Sequence, residues 1–344
     1  MNIVIVTDAW YPQVNGVVRT LARTRDELTG FGHQVQIIAP DQFRAIPCPS
    51  YPEIRLSLFP GRRLRALIEA ARPDAVHIAT EGPLGLAARA WCLKKNFPFT
   101  TAFHTQFPEY VKLRAGIPLG LTYRLMRWFH GPATTLMVAT PTLKQRLEKR
   151  GFKNIGMWSR GVDTDLFQPR EKSFLDGNRP IFMYMGRVAV EKNIEAFLTL
   201  DLPGTKYVVG GGPDLERLKR KYSIVRFTGY KADKELAKYL AAADVFVFPS
   251  RTDTFGLVIV EALACGVPVA AYPVQGPLDI IENGVTGCLD EDLKAAAMKA
   301  RELDPHRCRH QAMKYSWETC ARQFLNHLPS AKPVAAAVPH SLAD

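Results

Sequence analysis

Ten short apolar runs, five in each half of the chain, constrain the fold more than any other feature. In the first half they are NIVIV (2–6), QVQIIA (34–39), AVHIA (75–79), FTTAF (99–103) and LMVAT (136–140). They are short, β-branched and largely apolar, the signature of strands buried on both faces. Amphipathic stretches separate them, such as GVVRTLARTRDELTGFG, which stops at two glycines of the kind that end helices, Gly30 and Gly32. The second half restarts the pattern with IFMYMG (181–186), KYVVGGG (206–212), VRFTG (225–229), DVFVFPS (244–250) and VPVAAY (267–272). Strand–helix alternation implies a parallel sheet covered by helices on both faces, and the restart implies two of them.

A length of 344 residues suits two domains. The polar segment 171–180, EKSFLDGNRP, reads as a linker. The expected division is a first α/β domain over 1–165 and a second over 166–315. A terminal helix over 316–330 is expected to return to the first domain, followed by a flexible tail over 331–344. Two doubly wound domains in tandem set two rows of strand-end loops around a central cleft, where ligands bind. Such a cleft suits a reaction between two substrates, one held by each half.

Charge and composition exclude several classes. No apolar stretch approaches the ~18 residues of a membrane span. The start, MNIVIVTDAWYPQ, lacks the basic and small-residue regions of a signal peptide and reads as a first strand, so a cytoplasmic location is expected. Cys48, Cys92, Cys265, Cys288, Cys308 and Cys320 have no C-x-x-C spacing, which argues against a zinc site or a disulfide framework. Residues 1–170 hold 23 Lys and Arg against 12 Asp and Glu, whereas residues 171–344 hold 22 against 21. The basic first half therefore points to an anionic partner, a membrane surface or a nucleic acid. A dinucleotide-binding G-x-G-x-x-G should follow the first strand, but TDAWYPQVNGVVRT offers only Gly16. Tyr230 and Lys234 mimic a reductase pair by chance spacing.

Four segments carry chemistry. In GRVAVEKN (186–193), Gly186 permits a sharp turn, and Arg187 and Lys192 stand at the mouth of a sheet, suited to straddling a diphosphate. VVGGGPDLERL has three glycines, among them Gly211, where backbone can approach a ligand closely. SRTDTFGLVIVEALACG places Thr252, Asp253 or Thr254 as the N-cap of a helix. The free amides of Thr254, Phe255 and Gly256 then form an anion site. Glu261 lies further along that helix among apolar neighbours, where a carboxylate is costly without partners such as ribose hydroxyls.

Taken together, GRVAVEKN, GGGPDLERL, VRFTGY, AADVFVFPS, TDTFGLVIVEALACGVPVAA and NGVTG resemble glycosyltransferase family 4 in order and spacing. The resemblance runs over about 1–328 and is strongest in 181–287. It implies the GT-B fold, two Rossmann-like doubly wound domains facing a central cleft, with the acceptor held by the first and the nucleotide sugar by the second. It implies retaining transfer of a hexose or hexuronic acid from a UDP- or GDP-sugar, with no required cofactor and no catalytic metal. The family's E-x7-E pattern falls on Asp253 and Glu261. Glu261 would hold the ribose, and Asp253, with the stretch Thr254, Phe255, Gly256 and Leu257, would meet the transferred sugar and the diphosphate. Arg187 and Lys192 match the diphosphate pair, Gly16 a glycine loop near the diphosphate, His104 a histidine at the sugar's reactive face, and Arg160 a cleft position in SRGVDTDLF. The loop around Thr228 and Tyr230 would meet the base. Asp253 replaces the usual Glu and is one methylene shorter. Asp163-Thr164-Asp165 resembles a metal-binding D-x-D but falls in the hinge motif.

Residues 110–131, YVKLRAGIPLGLTYRLMRWFHG, mix Lys112, Arg114, Arg124 and Arg127 with large apolar side chains. Pro118 is expected to open a helix with one apolar, aromatic face and one cationic face, as on an anionic membrane surface. Arg62, Arg63 and Arg65 add to it. FHTQFPEYV resembles the subgroup that glycosylates diacylglycerol or transfers mannose from GDP-mannose. The expectation is a peripheral glycolipid synthase at the inner face of the cell membrane, acting on a lipid such as diacylglycerol and binding no nucleic acid. A GDP-mannose-dependent mannosyltransferase and a sugar-nucleotide epimerase of the same fold are the alternatives.

Overall fold

The structure is a computed structural model and describes residues 1–13, 15–48 and 51–329. The first half forms β1 (Asn2–Val6), α1 (Gly16–Gly30), β2 (Gln34–Ile38), β3 (Ala45–Cys48), β4 (Tyr51–Ser57), α2 (Gly61–Ala71), β5 (Ala75–Ile78) and α3 (Pro83–Lys94). It continues with β6 (Phe99–Ala102), α4 (Phe107–Ala115), α5 (Leu119–His130), β7 (Thr135–Val138), α6 (Pro141–Lys149) and β8 (Ile155–Met157). The second half forms β9 (Ile181–Met185), α7 (Glu195–Leu198), β10 (Thr205–Val209), α8 (Leu215–Lys221), β11 (Arg226–Gly229), α9 (Asp233–Ala241) and β12 (Val245–Phe248). After it come α10 (Leu257–Ala264), β13 (Val269–Ala271), α11 (Pro277–Ile280), β14 (Gly287–Leu289), α12 (Leu293–Ala300), α13 (Pro305–Ala312) and α14 (Trp317–His327).

Two parallel six-stranded sheets result, in the orders β2-β1-β5-β6-β7-β8 and β11-β10-β9-β12-β13-β14. All ten expected strands form. The antiparallel hairpin β3–β4, pairing Ala45 with Ser57 and Ile46 with Leu56, was not expected. Pro47, Pro49 and Pro52 lie within that stretch, and proline argues against a strand unless the strand is an edge, as both are here. Strands β8 and β14, of three residues each, are too short to show a period.

The chain divides into two compact units. Of the described residues, one comprises 1–102, 128–137 and 324–329, and the other 103–127 and 138–323. In the first, Val4, Val6, Val76, Ile78 and Phe99 of the sheet meet Leu64, Ile68, Leu84 and Ala88 of α2 and α3. In the second, the sheet is covered on both faces. Met183, Val209, Phe246 and Phe248 face α9, α10 and α13, and Phe182, Val208, Val245 and Val247 face α7, α8 and α12. Burial on both faces is why inner strands such as β9 and β12 read as continuous apolar runs, whereas the edge strands β2 and β11 are only partly buried. Residues 171–180 are tied down within the second unit: Lys172 and Arg179 both pair with Asp244, whose carboxylate also accepts the Ile181 amide at 2.8 Å. The tail expected over 331–344 lies outside the described residues.

Each sheet has one switch point, between β1 and β5 in the first and between β9 and β12 in the second. At the first, Asp8 after β1 accepts the Thr80 hydroxyl and the Leu84 amide, each at 2.9 Å, and so caps α3. Burial raises the Asp8 pKa despite these bonds. Ligands of open α/β sheets bind outside the strand ends at such a switch.

Candidate active site

The loops that follow β9 and β12 flank the second switch point, and they carry most of the residues singled out in the sequence. Lys192 closes a short 3-10 turn over Val190–Lys192, and its ammonium is ion-paired with Asp253. Two further bonds join these loops. The Asn193 side-chain amide donates to the Pro249 carbonyl at 3.1 Å, and the Thr252 hydroxyl donates to the Glu191 carbonyl at 3.2 Å. Arg187 lies half-buried earlier on the loop after β9, where its carbonyl accepts the Tyr184 hydroxyl at 2.6 Å.

The glycine loops are stitched together. The Gly186 amide donates to the Val209 carbonyl at 3.0 Å, Val188 to Gly211 at 2.9 Å, and Gly210 to Gly229 at 2.9 Å. A Cβ at Gly210 would strike the Gly186 carbonyl, and one at Gly212 the Val188 carbonyl. Those two glycines therefore serve loop-to-loop packing. Gly211 alone of the three has open space, with the nearest atom to a Cβ being that of Tyr230 at 3.8 Å. Tyr230 is 59% exposed, and the Thr228 hydroxyl is turned to the Val208 carbonyl at 3.4 Å.

The start of α10 departs from expectation. Its N-cap is Gly256, in the left-handed conformation at φ 96°, with no side-chain cap. Thr252, Asp253 and Thr254 do not cap because each is engaged elsewhere, by Glu191, by Lys192 and by the His104 carbonyl, which Thr254 meets at 2.7 Å. Among the described residues no side-chain acceptor is recorded for the first turn, from Leu257 onward, which suits an anionic group. The Phe255 ring is buried edge-on to Tyr315, so its backbone is the part it can offer a ligand. Glu261 is 2% exposed and sits between Val260 and Ala262 in the helix core. Burial, with Glu261 nearby, pushes the Cys265 thiol up to about 12.

His104 follows β6 and is buried edge-on to Trp158. Arg160 is buried as well; its Nη1 donates to the carbonyls of Trp158 and Ser159 at 2.6 and 2.9 Å, and its Nη2 lies 3.1 Å from His104 Nδ1. Burial lowers the Arg160 guanidinium to about 10. Gly16 belongs to the other unit, as the first residue of α1, where the Asn15 side chain caps the Val17 and Val18 amides at 3.0 Å. In the D-x-D segment, Asp163 caps the Leu166 amide at 2.9 Å, a turn role. Among the described residues no group of three His, Cys, Asp or Glu is placed to hold a metal.

Sequence reasoning missed Gln106, Glu109, Arg146 and Gln275, which lie behind the Asp253–Thr254 turn. No local signal marks them, because they meet only through the fold.

A loop constellation at a switch point, without a dinucleotide fingerprint, fits a sugar-nucleotide site, and the family matches agree. Glycosyltransferase Family 4 matches residues 14–166 and Glycosyl transferases group 1 matches residues 167–304. The chain belongs to glycosyltransferase family 4. This family 4 enzyme has the GT-B fold and is a nucleotide-sugar-dependent glycosyltransferase of the hexosyltransferase class. It is 28% identical over 370 residues to a GDP-mannose-dependent alpha-mannosyltransferase of Mycobacterium tuberculosis, covering 96% of this chain and 97% of that protein. It is 27% identical to an alpha-monoglucosyldiacylglycerol synthase of Streptococcus pneumoniae, covering 94% and 83%. The sucrose-phosphate synthase of Thermosynechococcus elongatus superposes with a TM-score of 0.75 at 21% identity, over 94% of this chain and 97% of that one, a likeness of fold.

Proposed function

We propose that this glycosyltransferase moves a hexose or hexuronic acid, with retention, from a UDP- or GDP-sugar to a lipid acceptor, above all diacylglycerol, at an anionic membrane surface. The exposed face of α5 carries the reading. Tyr123, Met126, Phe129 and His130 are buried, so the aromatic residues of this helix are shared between core and solvent. Its outer face combines Leu121, Leu125 and Trp128 with Arg124 and Arg127. That differs from the expected split into apolar and cationic faces, yet a mixed exposed face suits the headgroup boundary better than a core contact. Trp128 is steadied from behind by Arg89, whose guanidinium lies 4.0 Å from the ring centre. In the first unit, Phe59 is 96% exposed beside Leu58, followed by the exposed Arg62, Arg63 and Arg65. No helix among the described residues is long and apolar enough to cross a membrane.

In this reading Glu261 takes the ribose hydroxyls, Gly211, Thr228 and Tyr230 border the base, and Arg187 and Lys192 with the first-turn amides of α10 stabilise the departing diphosphate. His104 and Asp253 meet the transferred sugar, with Arg160 behind the histidine. Gly16 keeps the role toward the diphosphate that the family resemblance implies. One C–O bond to the diphosphate breaks and one to the acceptor hydroxyl forms, and the hydroxyl proton leaves with the nucleoside diphosphate. The name of the pneumococcal relative supports diacylglycerol as acceptor. A second reading, GDP-mannose as donor to another lipid or a polysaccharide, is favoured by the end-to-end coverage of the mannosyltransferase.

The test incubates the enzyme with UDP-glucose, UDP-glucuronate, UDP-galactose or GDP-mannose, with and without diacylglycerol in anionic vesicles. Glycolipid formed only when vesicles are present supports the proposal. Release of an epimer without any acceptor, or transfer confined to water-soluble acceptors, overturns it.

A further inference from the structure

We infer that Arg146 is a positioning residue for the donor loop, acting through the side-chain amides of Gln106 and Gln275. This rests on reading Asp253–Gly256 as the loop that meets the donor. Arg146 projects from α6, and its Nη1 donates to Gln106 Oε1 at 2.8 Å and to Gln275 Oε1 at 3.4 Å. A guanidinium only donates, so both carboxamides must turn their oxygens toward it. Their nitrogens are thereby aimed the other way, and each faces a carbonyl of the loop. Gln106 Nε2 lies 3.5 Å from the Asp253 carbonyl, and Gln275 Nε2 lies 3.4 Å from the Thr254 carbonyl. Both glutamines are buried, at 2% and 8% exposure, so neither amide has water to turn toward instead.

The consequence follows from peptide geometry. In a planar trans peptide the carbonyl and the next amide point in opposite directions. Holding the Asp253 and Thr254 carbonyls toward the glutamines turns the Thr254 and Phe255 amides away from them. These are two of the amides proposed to meet the transferred sugar and the diphosphate. The Thr254 hydroxyl, on the His104 carbonyl at 2.7 Å, fixes the same turn against the segment that bears His104. Arg146 is itself anchored from behind, since its Nη2 pairs with Glu109, which also accepts the Tyr123 hydroxyl at 2.7 Å. The turn is further held by Gly276, where a Cβ would lie 2.6 Å from the Phe255 carbonyl. Donor amides set in place before reaction need no reorganisation as charge develops on the leaving group.

Gln106→Glu separates this role from simple packing. The carboxylate still accepts from Arg146, but it has no proton to offer the Asp253 carbonyl. A packing role predicts unchanged turnover. Positioning predicts that kcat falls at least tenfold, with free nucleotide affinity within about threefold of wild type and an unchanged melting temperature. Arg146→Met should reproduce the kcat loss, and Arg146→Lys should recover part of it. Thr254→Val gives a second, isosteric reading of the same turn. Wild-type kcat in a folded Gln106→Glu enzyme, together with wild-type kcat in Thr254→Val, overturns the inference. Nucleotide binding that is indifferent to Glu261→Gln overturns the donor-loop reading and the inference with it. Binding that depends on Glu261 beside a neutral Gln106→Glu overturns the relay alone.

Discussion

Arg160 donates from Nη2 to Nδ1 of His104 across 3.1 Å, which fixes the tautomer of the imidazole. Nδ1 must accept, so the ring proton sits on Nε2. His104→Ala is expected to lower kcat by about a hundredfold, the scale of one positioned polar group at the reacting centre, with donor affinity largely kept. His104→Gln, whose amide can donate from near the Nε2 position, should retain more activity than His104→Asn. Steady-state kinetics with calorimetric nucleotide binding checks both, and an Ala variant with wild-type turnover removes His104 from the site.

The ion pair of Lys192 with Asp253 predicts coupling between the two. Lys192→Ala and Asp253→Asn should each lower kcat/KM, and the double variant should fall short of their product by an interaction of about 1–3 kcal/mol. Asp253→Glu, which lengthens the carboxylate by one methylene, should change the ratio of kcat/KM among donor sugars. Strict additivity in the cycle would dissolve the pair as a functional unit.

Glu261 is buried in an apolar helix, where an ionised carboxylate is expensive. Glu261→Gln, which preserves the shape of the side chain, should fold as the wild type does without ligand. The wild type should gain about 2.7 kcal/mol from nucleotide at a hundredfold excess over Kd, and the variant should lose that gain. Thermal shifts with UDP, GDP and ADP measure both effects at once.

Asp244 joins Lys172 and Arg179 to the amino end of β9. Burial pushes its pKa up, but the Ile181 amide, Lys172 and Arg179 outweigh burial and hold it below the ordinary value of 3.8. Because the folded value is the lower one, the stabilisation is complete above pH 3.8 and is lost as pH falls through the folded value. Asp244→Asn should thus lower the melting temperature at pH 7, with the gap from wild type closing as the solution is acidified below pH 4. A gap that stays constant to pH 3 contradicts this account.

The exposed arginines of α5 predict salt-dependent vesicle binding. Arg124→Glu with Arg127→Glu should weaken cosedimentation with anionic vesicles at least tenfold at low salt, from a contribution of about 1 kcal/mol per basic residue. The difference should shrink near 0.5 M salt, where screening shortens to a few ångströms (roughly 4 Å). Trp128→Ser should weaken binding at both salt levels, because its contribution is apolar. Equal recovery of wild type and variants in the supernatant, with and without vesicles, counts against the docking face.

What the sequence by itself determined is what neighbouring residues decide. An apolar run such as IFMYM must be buried on both faces wherever it lies, so all ten expected strands form. The glycines after β9 and β10 and the buried Glu261 were visible for the same local reason. The hairpin β3–β4 escaped because its prolines contradict a strand unless the strand is an edge, and edge status belongs to the sheet. The cap of α10 is not legible in the sequence, because Thr252, Asp253 and Thr254 all have capping side chains. Only the fold brings each a competing partner, in Glu191, Lys192 and His104. Gln106, Arg146 and Gln275 carry no pattern at all, since hydrogen bonds between residues 40 and 129 positions apart leave no periodicity in the chain. Propensity and burial act over a few residues and are written locally, whereas the direction of a peptide carbonyl in the donor loop is decided only once those distant amides are packed behind it.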